Sequence, residues 1–182
     1  MSELNNKSFN HLKIHTQYSI CEGAIKINNL KDFCKENKIP CLGLSDTSNL
    51  CGALEFAENI SKVGTQPIIG TQIYFRFEDT TGLLPLIALN ERGYKRIIEL
   101  SSRSYLENDA LSDPHLDIKE LLTDMEGVTL LSGSIQGLFG KLFVKGRLEE
   151  ISKIYRSLLS NFPNRFYLEI QRHGDQNEIA FE

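Results

Sequence analysis

Apolar and polar residues alternate along the chain with two different periods, which predicts helices and strands in regular succession. Apolar positions three to four residues apart predict amphipathic helices, and short apolar runs bounded by turn residues predict strands. The predicted helices are Ile25–Asn37, Leu50–Val63, Glu91–Leu106, Ile118–Met125 and Gly146–Asn161, with a possible short one before the last. The predicted strands are His11–Ile14, Cys41–Leu44, Pro67–Ile69, Gln72–Phe77, Leu83–Leu89, Val128–Ser132 and Phe166–Gln171.

This alternation with short connections favours a mostly parallel sheet or a barrel. Gly82 is expected to turn the chain between two strands that form a hairpin. No repeat or linker divides the 182 residues, and 41% hydrophobic residues suffice for the core of one domain. In parallel α/β folds, functional side chains lie at the carboxyl ends of strands. The polar residues in such places are His15, Asp46, Ser132, Ser134 and His173.

Composition and charge narrow the classes of function. A domain that grips nucleic acid by itself is usually basic, whereas this chain has a formal net charge of −4, so partner proteins are the expected ligands. No run reaches the roughly 18 apolar residues of a membrane helix, and the first residues lack the order of a secretion signal. We therefore expect a cytoplasmic protein that does not bind membranes. The four cysteines form no CxxC pair, which predicts neither a disulfide framework nor a zinc knuckle.

Four residues could form a divalent metal site for phosphoester hydrolysis, which needs imidazoles and carboxylates that converge from several strand ends. They are His15, Glu22, Asp46 and His173. Each also has a simpler structural role available. His15 could cap a strand end, Asp46 could cap the following helix, and Glu22 could be a solvated loop residue. The residues alone leave both interpretations open.

Lys13 favours a site without a metal. It lies two residues before His15 and therefore on the same face of the predicted first strand. Its cation would repel a divalent ion, but it could pair with Asp46 or Glu22 and occupy the electrostatic place of the ion. The sequence thus supports the hypothesis that a salt bridge, rather than a metal, holds the site together.

Six ordered segments carry a resemblance to a known family. In chain order they are HLKIHTQYSICEG, LGLSDTSNLCGALEF, PIIGTQIYF, GYKRIIELSSRSY, GVTLLSGSIQG and FPNRFYLEIQRHG. Together they resemble the N-terminal PHP (polymerase and histidinol phosphatase) domain of bacterial DNA polymerase III alpha subunits of proteobacterial type. The resemblance implies a distorted seven-stranded β/α barrel. Residues 1–182 would be the N-terminal portion of this single domain, truncated before the barrel closes. The last strand would then lie at an open edge, so we expect this portion to be less stable than the complete domain.

The resemblance also implies a cluster of up to three metals in metal-binding members, and this sequence departs from their ligand pattern. The ligand positions that survive are His15, Asp46, His173 and, with a longer side chain, Glu22. The positions that lack the usual ligand are Lys13, Thr47, Gln72 and Ser134. Hydroxyl and amide oxygens bind such metals more weakly than imidazole and carboxylate. We therefore expect a vestigial site that supplies no catalytic residue and holds no Zn²⁺ or Mn²⁺.

Three functions follow from the resemblance. The first is a structural domain that docks the proofreading exonuclease subunit. The complete polypeptide would then contact other replicase subunits and polymerise DNA, with Mg²⁺ held by downstream aspartates. The alternative is an active metal-dependent phosphoesterase or 3′–5′ exonuclease, against which Lys13 argues. The third is a free-standing enzyme like histidinol phosphatase, which the polymerase-type segments GYKRIIELSSRSY and FPNRFYLEIQRHG disfavour.

Overall fold

The computed structural model describes residues 9–109, 111–174 and 176–181. The sequence predicts no secretion signal at the start of the chain. Residues 1–8 of this stretch lie outside the described residues. The described strands are β1 (Cys41–Thr47), β2 (Gln66–Phe77), β3 (Thr80–Ala88), β4 (Leu116–Asp117), β5 (Val128–Leu131) and β6 (Phe166–Tyr167). The described α-helices are α1 (Ile27–Asn37), α2 (Ala53–Ser61), α3 (Glu91–Leu106), α4 (Leu138–Val144), α5 (Leu148–Asn161) and α6 (Glu178–Phe181). A 3-10 helix at Ile118–Leu122 replaces the predicted short α-helix there.

The described strands form one six-stranded sheet in the order β1-β2-β3-β5-β6, and β4 pairs with the end of β2. The sheet is mixed. β2 and β3 form the predicted hairpin, and β3 also runs antiparallel to β5, whereas the other pairs are parallel. Antiparallel pairing lies at the centre because a tight turn leaves no room for the crossover that parallel pairing requires. The sheet is open, as expected for an incomplete barrel.

Gly82 is not the turn of this hairpin. The chain turns at Glu78 and Asp79, and Glu78 adopts a left-handed φ of 52°. Gly82 belongs to β3, where a Cβ would lie 2.4 Å from the backbone of Leu138 in α4. The glycine is therefore needed for the close packing of α4 on β3.

The predicted first strand, His11–Ile14, is reduced to an isolated bridge to β1 at Ile14. The segment still follows β1, because the Gly43 N–H donates a 2.7 Å hydrogen bond to the His11 carbonyl. Next to this bond, the Leu12 backbone packs closely against Gly43 of β1. A Cβ at Gly43 would lie 2.5 Å from the Leu12 carbonyl oxygen. Gly43 also accepts a hydrogen bond from the Ile14 N–H, so the segment has one residue more than a regular parallel ladder between its two bonds to Gly43, which interrupts the ladder.

The last predicted strand, Phe166–Gln171, is likewise shorter than expected, because β6 contains only its first two residues. Beyond β6, Leu168 and Ile170 are 68% and 61% exposed. These apolar side chains mark an open edge of the sheet. The expectation of reduced stability relative to a complete domain stays a prediction.

Two hydrophobic clusters hold the layers together. The larger packs α3, α4 and α5 on β2, β3 and β5, and the smaller packs α1 and α2 on β1. Leu42 and Leu44 belong to the smaller cluster. Because strand residues alternate between faces, Asp46 shares their face and Thr47 lies on the opposite one. The four cysteines are free thiols. No helix in the described residues is long and apolar enough to cross a membrane.

Candidate metal centre

Three of the predicted site residues converge at the end of β1. Thr47 lies in register with Gln72 of β2. The Thr47 hydroxyl accepts a 2.7 Å hydrogen bond from the Gln72 amide and donates one to the Glu22 carboxylate. Gln72 therefore presents an N–H donor to this centre, which a metal ion cannot use as a ligand.

Asp46 is fully buried and serves a different purpose. Its Oδ1 accepts hydrogen bonds from the Thr16 N–H at 2.6 Å and from the Ser19 hydroxyl at 2.7 Å. Its Oδ2 accepts a 2.7 Å hydrogen bond from the Thr16 hydroxyl. The carboxylate thus fastens the turn at residues 16–22 to the end of β1. Strand alternation directs it away from Thr47 and its partners.

Lys13 forms an ion pair with a residue that the sequence analysis missed. Its Nζ lies 2.9 Å from Oε1 of Glu169, and the two side chains are only 20% and 11% exposed. The prediction of a pair with Asp46 or Glu22 is therefore wrong: the Asp46 carboxylate is engaged by Thr16 and Ser19, and Glu22 accepts from Thr47. The ion pair joins the segment beside β1 to the segment after β6, 156 residues later.

Glu169 begins a row of polar side chains at alternate positions after β6. Gln171 donates to the Glu169 carboxylate and accepts a 3.2 Å hydrogen bond from the Ser134 hydroxyl. His173 is exposed, and its Nε2 lies 3.3 Å from the Gln171 side-chain oxygen. Its N–H donates to the Glu178 carboxylate, so the hydrogen bonds of His173 to other described residues lead to Gln171 and Glu178 and not to the residues around Thr47. The two-residue spacing of this row is visible in the sequence and could have indicated a shared face.

The imidazole of His15 lies close enough to the charged side chains on both sides of this centre for them to change its pKa. Burial lowers the pKa of its imidazole, and the Lys13 cation lowers it further, while the carboxylates of Glu22 and Asp46 raise it. Its Nδ1 is buried and has no hydrogen-bond partner within the described residues. The net lowering of the pKa favours a neutral imidazole at neutral pH. Burial is likewise the main cause that raises the pKa of Tyr74, assisted by Glu22.

We expect His15 to make the protein less stable in mild acid. The pKa of the folded state lies below the ordinary value of 6.5, so the unfolded chain takes up the proton first as the pH falls. The free energy of unfolding should therefore decrease below pH 6.5 until the pKa of the folded state is reached. Urea unfolding between about pH 8 and pH 5 should show a shallower dependence in His15→Gln. Equal pH dependence in both proteins would contradict this prediction.

The described residues contain no group of three or more histidine, cysteine, aspartate or glutamate side chains arranged to hold a metal. Comparison with known proteins identifies the family of the domain that contains this centre. The family model of the PHP domain matches residues 11–173. The chain belongs to the PHP domain family. Its predicted resemblance to this family is thereby confirmed.

Curated relatives agree with this assignment. The PHP domain is 37% identical over its whole length to DNA polymerase III subunit alpha of Caulobacter vibrioides. The alpha subunits of Rickettsia felis and Borreliella burgdorferi are 35% and 34% identical over 96% and 93% of the chain. The chain matches the N-terminal part of these relatives and spans 17%, 14% and 16% of their lengths.

A solved structure supports the fold. A Bifidobacterium adolescentis protein, described as a metal-dependent phosphoesterase, matches with a TM-score of 0.58 and 14% identity. The match covers 94% of this PHP domain and 82% of that chain. An incomplete PHP barrel therefore accounts for the open sheet.

Proposed function

We propose that this PHP domain is the N-terminal portion of a replicative DNA polymerase III alpha subunit in the cytoplasm. Within it, the domain acts as a structural and docking unit rather than as a hydrolase. The complete polypeptide polymerises DNA with Mg²⁺ bound by downstream aspartates, together with other replicase subunits. The docking partner is the separate proofreading exonuclease subunit. The similarity to alpha subunits over nearly the whole chain is the observation that carries this proposal.

The side chains available as metal ligands support the proposal that this centre no longer binds a metal. Lys13 places a cation there, and Glu169 neutralises it at 2.9 Å. Both oxygens of Asp46 are engaged by the turn that follows the first segment. Thr47 and Gln72 are neutral where the family pattern has an imidazole and a carboxylate. These residues do not fit a divalent zinc or manganese ion, and the ion pair takes over its structural role.

Restoring three ligands should restore metal binding. We expect the combined Lys13→His, Thr47→His and Gln72→Glu variant to take up about one Zn²⁺ or Mn²⁺ per chain. The unmodified protein should retain far less after dialysis. Elemental analysis of both proteins, with circular dichroism to verify folding, measures the difference.

A matched control places the same substitutions at exposed, scattered positions, as Lys62→His, Thr123→His and Gln136→Glu. This control should bind no more metal than the unmodified protein. Stoichiometric metal in the unmodified protein would overturn the proposed loss of binding. A folded triple variant without metal would contradict the view that only ligands are missing.

The alternative function is an active metal-dependent phosphoesterase or 3′–5′ exonuclease. The similarity in fold to the Bifidobacterium protein is compatible with this alternative function, but the side chains available as metal ligands are not. Manganese-stimulated hydrolysis of nitrophenyl phosphate or single-stranded DNA, lost in His15→Ala, would replace the docking function with this one.

A further inference from the structure

No further inference is drawn: the strongest candidate, the apolar cavity of about 630 Å³ that Ile68, Ile87, Leu131 and Glu169 line on the face of the sheet away from α3, belongs to the open side of the incomplete barrel already described, and nothing in the structure shows what covers it.

Discussion

Replacing Lys13 by methionine is expected to lower the free energy of unfolding by about 3 kcal/mol. The main cause is the carboxylate of Glu169, which stays 11% exposed and loses its counter-charge. Gln171 would be the remaining hydrogen-bond donor to Oε1, and Oε2 has no hydrogen-bond partner within the described residues. Urea unfolding at about pH 7, followed by circular dichroism, measures the loss.

A double-mutant cycle separates the ion pair from the burial of a lone charge. Apolar residues can replace a buried pair at little cost, so Lys13→Met with Glu169→Met should recover at least about half of the loss. Arg92→Met is the control, because it breaks exposed ion pairs with Asp124 and Glu126 and should change stability little. If Lys13→Met is as mild as this control, the Lys13–Glu169 pair is an ordinary surface contact.

Local pattern was sufficient to predict the elements whose boundaries depend on nearby residues. Helix α3 has the predicted bounds, because its apolar spacing decides its face and the Asn90 side chain caps its start with a hydrogen bond from the Gly93 N–H. The elements that were predicted wrongly, or that are shorter than predicted, depend instead on contacts with backbone that is distant in sequence. The role of Gly82 is decided by α4 more than fifty residues later, and the first strand is interrupted where Leu12 packs against Gly43.

The contacts of the candidate site likewise include some that nearby residues decide and some that depend on distant segments. The contact of Thr47 with Gln72 follows from the parallel register of β1 and β2. Gln72 lies in the middle of β2 and Glu22 in a turn, so only the family resemblance had grouped the three residues. The partner of Lys13 was not predictable, because Glu169 approaches it only after the sheet has curved its two ends together. For Asp46 the sequence contained a usable signal. Adjacent strand residues point to opposite faces, so the apolar Leu42 and Leu44 predict that Asp46 lies on their face and Thr47 on the other.

This position of Asp46 leads to the second large effect. We expect Asp46→Ala to lower the free energy of unfolding by about 3 kcal/mol, because it leaves one buried N–H and two buried hydroxyls without their acceptor. Asp32→Ala, at an exposed position of α1, is the control and should stay within about 0.5 kcal/mol of the unmodified protein. Urea unfolding measures both.

Amide exchange and a chelator distinguish an anchored turn from a metal ligand at Asp46. If the carboxylate anchors the turn, the Thr16 amide should exchange faster in Asp46→Ala, and EDTA should not change the stability of the unmodified protein. If it binds a metal, EDTA should destabilise the unmodified protein as much as the substitution does, and should not affect the variant. The Ser19 hydroxyl also accepts a 3.0 Å hydrogen bond from the Thr47 N–H, so a released turn would free Thr47 and its contact with Glu22. Disorder in Asp46→Ala should therefore spread to the centre even though Asp46 itself faces away from it.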